Sequence, residues 1–235
     1  MSDRAVALAF FDPTHKLQGA VRAGGALLFE GGHTTSPPGE VGLEAVDDGY
    51  RAAIEGSLEL TFSPLSPALE LGGSHAQVCA VAGRVKDATL DCLGTIVETT
   101  EPPAWGRLDA LRSLSALWDA DTALVAAVRR PRGARGHGEE VATAWLMDEG
   151  VPLLVEQTRL STVYDGSGRQ RTAGLELWLP EEDLPRRASG RALAGTSLGL
   201  ESGLVVNVAA FEWRMDGREG HGLYELTLRD EPAAA

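Results

Sequence analysis

Cysteine is scarce in this chain. Only Cys79 and Cys92 occur among 235 residues. They form no CxxC pair and have no histidine at ligand spacing, so a disulfide framework and a structural zinc site are both excluded. A reduced, cytoplasmic setting is the simplest expectation. Basic residues are outnumbered, 21 Lys and Arg against 34 Asp and Glu, for a net charge of −13. That balance argues against nucleic acid or an anionic membrane surface as the main partner. No apolar run is long enough to span a bilayer. "AVALAFF" (5–11) is too short, and no signal-type cleavage region accompanies it, so a soluble protein retained in the cell is expected. The five histidines are scattered, with no HxH or HExxH, and no Walker or GxGxxG loop sits between a strand and a helix. Neither a metal nor a cofactor is expected.

What the chain does contain is strand. Short runs rich in Val, Leu, Thr and aromatics recur, punctuated by glycine. They predict an antiparallel all-β protein of a dozen or more strands. Asp48-Gly49, Asp165-Gly166 and Asp216-Gly217 read as hairpin turns, because Asp-Gly readily takes the positive φ that a tight turn needs. One segment departs from this. "PPAWGRLDALRSLSALWD" sets Leu108, Leu111, Leu114, Leu117 and Trp118 at helical spacing behind two prolines, predicting a helix. The following "RRPRGARGHGEE" (129–140) reads as a solvated linker, although its arginines have the chemistry to hold an anion. "GTSLG" (195–199) fits a nucleophile-elbow pattern, but the residues after it read as another strand, which argues against a serine hydrolase.

The chain also resembles itself. "GGALLFE" (24–30) matches "EGVPLLVE" (149–156), "DGYRAAIEGSLELTF" (48–62) matches "DGSGRQRTAGLELWL" (165–179), and "GSHAQVCAVAGRV" (73–85) matches "GLVVNVAAFEWRM" (203–215). Three matches in one order point to an internal duplication. The expected organisation is a first β half over 1–100, a helical or loop linker over 101–135, and a second β half over 136–235.

"WRMDGREGHGLYE" (213–225) is the densest stretch. A two-residue turn at Asp216-Gly217 pairs Arg214 with Glu219, Trp213 with Gly220, Glu212 with His221, and Phe211 with Gly222. Each ring would then cover a glycine, with opposite charges meeting on the other face. One face is apolar; the other carries Glu212, Arg214, Glu219, His221 and Glu225. Charged rows on strands usually face water. If this row instead faces a cavity, a carboxylate beside a histidine can move protons.

The ending "DGREGHGLYE" resembles an Asp-Gly-x-x-Gly-x-Gly-x-x-Glu signature of duplicated lipocalin-like proteins, the carotenoid 1,2-hydratase (hydroxyneurosporene synthase) and AttH-like group. Asp216, Gly217, Gly220, Gly222 and Glu225 occupy its positions. The resemblance implies two packed lipocalin-like halves and a pocket for an isoprenoid- or lipid-like molecule. It implies a cofactor-free hydratase, cyclase or isomerase, or alternatively a carrier or a structural protein. Under the enzyme reading Glu212, His221 and Glu225 are the acid–base candidates and Arg214 their charge partner. Trp178, Trp213, Tyr224 and Tyr164 are the candidate ligand contacts. A homodimer stays open.

Overall fold

The computed structural model describes residues 5–200 and 203–229. Alternation sets the local structure. Leu58, Leu60 and Phe62 are buried while the residues between them are exposed, the two-residue period of a strand with one wet face. The first sheet comprises β1 (Ala5–Asp12), β2 (Leu17–Arg22), β3 (Gly25–Glu30), β4 (His33–Thr35), β5 (Gly42–Val46), β6 (Gly49–Ile54), β7 (Leu58–Pro64), β8 (Leu69–Glu70), β9 (Ser74–Val85) and β10 (Ala88–Thr99). The second comprises β11 (Leu108–Leu117), β12 (Ala123–Pro131), β13 (Val141–Asp148), β14 (Val151–Leu154), β15 (Gln157–Tyr164), β16 (Gln170–Trp178), β17 (Arg186–Leu200), β18 (Leu204–Met215) and β19 (Arg218–Arg229).

The first sheet runs β4-β3-β2-β1-β10-β9-β7-β6-β5, with β8 paired to β9, and the second runs β14-β13-β12-β11-β19-β18-β17-β16-β15. The two orders are the same path walked twice, so the duplication is written in the topology. All pairings are antiparallel, with Asp216 and Gly217 at positive φ making the β18–β19 turn. Each sheet curls around its own core. Phe10, Leu28, Leu60, Phe62 and Val81 fill the first, and Leu124, Leu146, Leu175, Phe211, Trp213 and Tyr224 the second. The outer faces then pack on each other through Phe11, Phe29 and Val78 of one half and Leu117, Val206 and Leu223 of the other.

Several expectations need correction. The segment read as helical is β11, with β12 after it, and the second sheet therefore begins at Leu108 inside the expected linker. The leucine spacing misleads because both faces of β11 are buried. Leu114 points into the second core, whereas Leu117 points into the seam between halves. A strand buried on both faces shows no two-residue alternation. The only helical turn among the described residues is the short 3-10 turn His137–Glu139. Topology also regroups the self-matches. The 73–85 and 203–215 segments are equivalent strands, β9 and β18. Strand β3 corresponds to β13 rather than to the 149–156 segment. The Leu-Glu-Leu of β7 faces no partner in β16, whose counterpart is β6. The turn before Gly49 is Asp47-Asp48, since Val46 pairs with Gly49, and the 165 turn spans five residues because Tyr164 pairs with Gln170.

Candidate functional site

The β18–β19 hairpin forms as the pairing rule requires, with Trp213 opposite Gly220, Phe211 opposite Gly222 and Glu212 opposite His221. Its glycines serve a different purpose from the one expected. Trp213 and Phe211 cover Gly190 on β17, where an added Cβ would lie 2.6 Å and 2.8 Å from their rings. Gly220 and Gly222 instead let β11 pass close by. A Cβ on Gly222 would lie 1.8 Å from the Ser115 carbonyl oxygen.

The charged face of the hairpin is the face that meets the first half, and the tertiary structure distributes its members. Arg214 and Glu219 form a 2.6 Å pair, both exposed. Glu212 takes a two-pronged bond from Arg191 at 3.0 and 3.1 Å. His221 lies against the buried Gln18 of β2, its Nδ1 3.3 Å from the amide nitrogen. Burial pushes the His221 imidazole below its ordinary pKa, against the opposing pull of Glu212 and Glu219. Glu225, two rows along β19, is held by the Arg22 guanidinium of β2 in an ion pair joining the halves, with 18% of its side chain exposed. Glu225 is thus separated from His221 by about 13 Å of strand. The trio does not converge.

Glu225 and Arg22 line a cleft of 300 Å³ between the two sheets. Its first wall is Ala5, Ala7 and Ala9 on β1 with Ala76 and Val97, together with the hydroxyls of Ser74, Thr95 and Thr99. The second wall adds the hydroxyls of Ser113, Ser115 and Thr227, and Trp105 and Arg129 also contribute. The sequence signal for this wall was present as every second residue of β11, but it was hidden by the helical reading of that segment.

The aromatic candidates sit elsewhere. Trp213 and Tyr224 are fully buried in the second core around Phe211, with ring centroids 5.2 and 5.5 Å from it. Trp178 is half-buried beneath Arg159, whose guanidinium lies 4.8 Å from the ring centre. The Tyr224 hydroxyl meets Thr162 Oγ1 at 2.7 Å and also interacts with Tyr164, and burial raises its pKa. Beside them lies a pair that sequence reasoning missed. Arg112 and Glu140 meet at 2.8 Å with 6% of each side chain exposed. Burial works against the Arg112 charge, but the hydrogen bond to Glu140 together with the nearby Tyr224, Tyr164 and Glu140 outweighs it and leaves the guanidinium above its ordinary pKa. Glu140 borders an open groove of 1140 Å³ at the mouth of the second half. Burial raises both cysteine thiols, Cys92 to about 12, so neither is poised as a nucleophile.

The fold defines a class, a β protein of two duplicated curled antiparallel sheets with a cleft between them. No family model and no curated protein matches the sequence. Solved structures do. An AttH-type protein from Nitrosomonas europaea superposes with a TM-score of 0.70 at 16% identity, covering 97% of this chain and 94% of that one. Kievitone hydratase from Nectria haematococca gives 0.60 at 10% identity, covering 96% and 88%. CghA gives 0.63 at 13% identity, covering 97% and 90%. The chain therefore has the fold of the AttH-like, lipocalin-type proteins, as the C-terminal signature implied. No described helix is long and apolar enough to cross a membrane.

Proposed function

We propose that the cleft between the halves binds an apolar small molecule of isoprenoid or lipid type, and that Glu225 moves a proton on it without a cofactor. The single observation that carries this is a carboxylate, held by an arginine from the other half, bordering a small apolar cleft of 300 Å³. That volume lies at the lower end of the roughly 300–1,000 Å³ typical of ligand pockets. The naming of one neighbour as a hydratase supports a hydration reading. In that step the water oxygen bonds to the far carbon of a double bond conjugated to a carbonyl on the substrate, Glu225 takes the water proton, and the π electrons move onto the carbonyl oxygen. The same carboxyl then returns the proton to the adjacent carbon, so the net change is addition of one water. Arg22 keeps the carboxylate oriented, and the cleft walls hold the substrate against it.

The test begins with native mass spectrometry of protein purified from its own host and solvent extraction of what it carries. The extracted molecule is then incubated with the enzyme in ¹⁸O water. Label appears in the product with the wild type, and Glu225→Gln lowers turnover by about 10²–10⁴-fold while retaining the molecule. An extracted molecule that binds but never takes up label or rearranges points to a carrier instead, and loss of the catalytic reading.

A further inference from the structure

The arginine-rich stretch that begins near the end of β12 starts with Arg129, which faces the cleft. Arg129 stands on the outer face of β12, in register with Leu111 of β11, and lines the cleft between the halves. Its guanidinium reaches across the seam to the turn before β9. A Cβ placed on Gly72 would lie 3.3 Å from Nη1, and one on Gly73 would lie 3.0 Å from Nη2. Both glycines have positive φ, +65° and +102°, so this backbone approaches the guanidinium with no side chain between. Unlike Arg22, Arg129 forms no ion pair and no side-chain hydrogen bond among the described residues. Glu101 borders the same mouth without pairing to it. In a chain with 34 acidic residues, a half-buried arginine left without a carboxylate beside apolar walls is an open receptor for an anion. The planar fork of guanidinium donors matches a carboxylate or sulfonate in two parallel bonds.

We propose that Arg129 binds the acidic end of the cleft's ligand, which makes that ligand an apolar molecule with one anionic group. This rests on the reading of the cleft as the binding site. The register supplies a ruler. Glu225 pairs with Ser113 and Arg129 with Leu111, so their α-carbons lie two strand spacings across and two residues along, about 12 Å apart. The proposal thus places the ligand's acidic group at the Arg129 end of the cleft and its reacting carbon at the Glu225 end.

Two fluorescent probes of similar shape test this: 8-anilinonaphthalene-1-sulfonate, which is anionic, and N-phenyl-1-naphthylamine, which lacks the sulfonate. Arg129→Gln weakens the anionic probe about tenfold to a hundredfold, within the range of a lost charge-assisted bond. The neutral probe changes less than twofold, and Arg129→Lys restores part of the loss. Thr227→Trp, or Ala7→Trp from the opposite wall, weakens both probes by filling the cleft. Equal responses of the two probes to Arg129→Gln, including no response, overturn the role of Arg129 while leaving the cleft in place. Failure of both tryptophan variants to weaken either probe, or absence of binding to the wild type, overturns the cleft reading and this inference with it.

Discussion

Replacing Gly222 with alanine tests the packing that gives the second half its curl. The added Cβ would lie 1.8 Å from the Ser115 carbonyl oxygen, 2.6 Å from its carbon and 3.0 Å from the Ala116 α-carbon. A normal carbon–oxygen contact needs about 3.3 Å, so the strands must separate by about 1.5 Å. The obstacle is backbone, which cannot rotate away as a side chain can. The β11–β19 ladder runs from Ala110 to Leu114 and resumes only at Leu117, so the displacement falls where pairing is already interrupted. Losing the Leu223 N–H bond to Ser115 Oγ and one ladder bond of the flanking pairs costs about 2 kcal/mol. Overpacking adds about 1–3 kcal/mol, and the stiffer unfolded chain returns about 0.4–1 kcal/mol. The net is about 3 kcal/mol of destabilisation, or about 6–12 °C in Tm for a chain of this length. Urea unfolding followed by tryptophan fluorescence measures it. Gly217→Ala is the internal control, because a Cβ there meets open space and only the +77° φ opposes it, a penalty of about 1 kcal/mol. If Gly222→Ala proves no more destabilising than Gly217→Ala, the close crossing of β11 is not what the glycine serves.

Other outcomes follow from the same contacts. Arg112→Met leaves the buried Glu140 carboxylate with only the exposed His137 Nδ1, at 3.2 Å, and destabilises by about 3 kcal/mol, while the double variant Arg112→Met with Glu140→Leu recovers most of that; a double-mutant cycle in urea reads the coupling. His221 has a folded-state pKa below its unfolded value, so the unfolded chain binds more protons in weak acid. Its contribution to stability is therefore intact above the unfolded pKa of about 6.5 and falls as pH drops below it. Imidazole proton shifts place the titration, and His221→Gln flattens the acid slope. A titration at or above the free value would contradict the burial of this ring.

The wrong expectations share one physical origin. Period-based reading assumes that one face of each element is wet. In β11 both faces are buried, one against Leu124 and Tyr224 and the other against the first half. Leu108, Leu111, Leu114 and Leu117 thus carry no two-residue signal. The same misreading hid Arg112, whose burial on the inner face becomes visible only when β11 is a strand. It also concealed the serine wall of the cleft. By contrast the hairpin at 213–225 was legible down to individual pairs, because a two-residue Asp-Gly turn leaves the register no freedom.

Local chemistry alone therefore determined most of the strands, the β18–β19 register and the division of that hairpin into apolar and charged faces. Strand alternation and turn geometry act between neighbours in sequence, so they can be read there. Tertiary structure alone decided which face of that hairpin meets the other half. It drew Glu225 to Arg22 across the seam, sent Arg214 to solvent and Trp213 into the core, and left Arg129 facing the cleft without a partner. Those outcomes depend on how two curled sheets dock. Docking joins residues up to 203 positions apart, as in Arg22 with Glu225, and such pairings leave no local period in the chain.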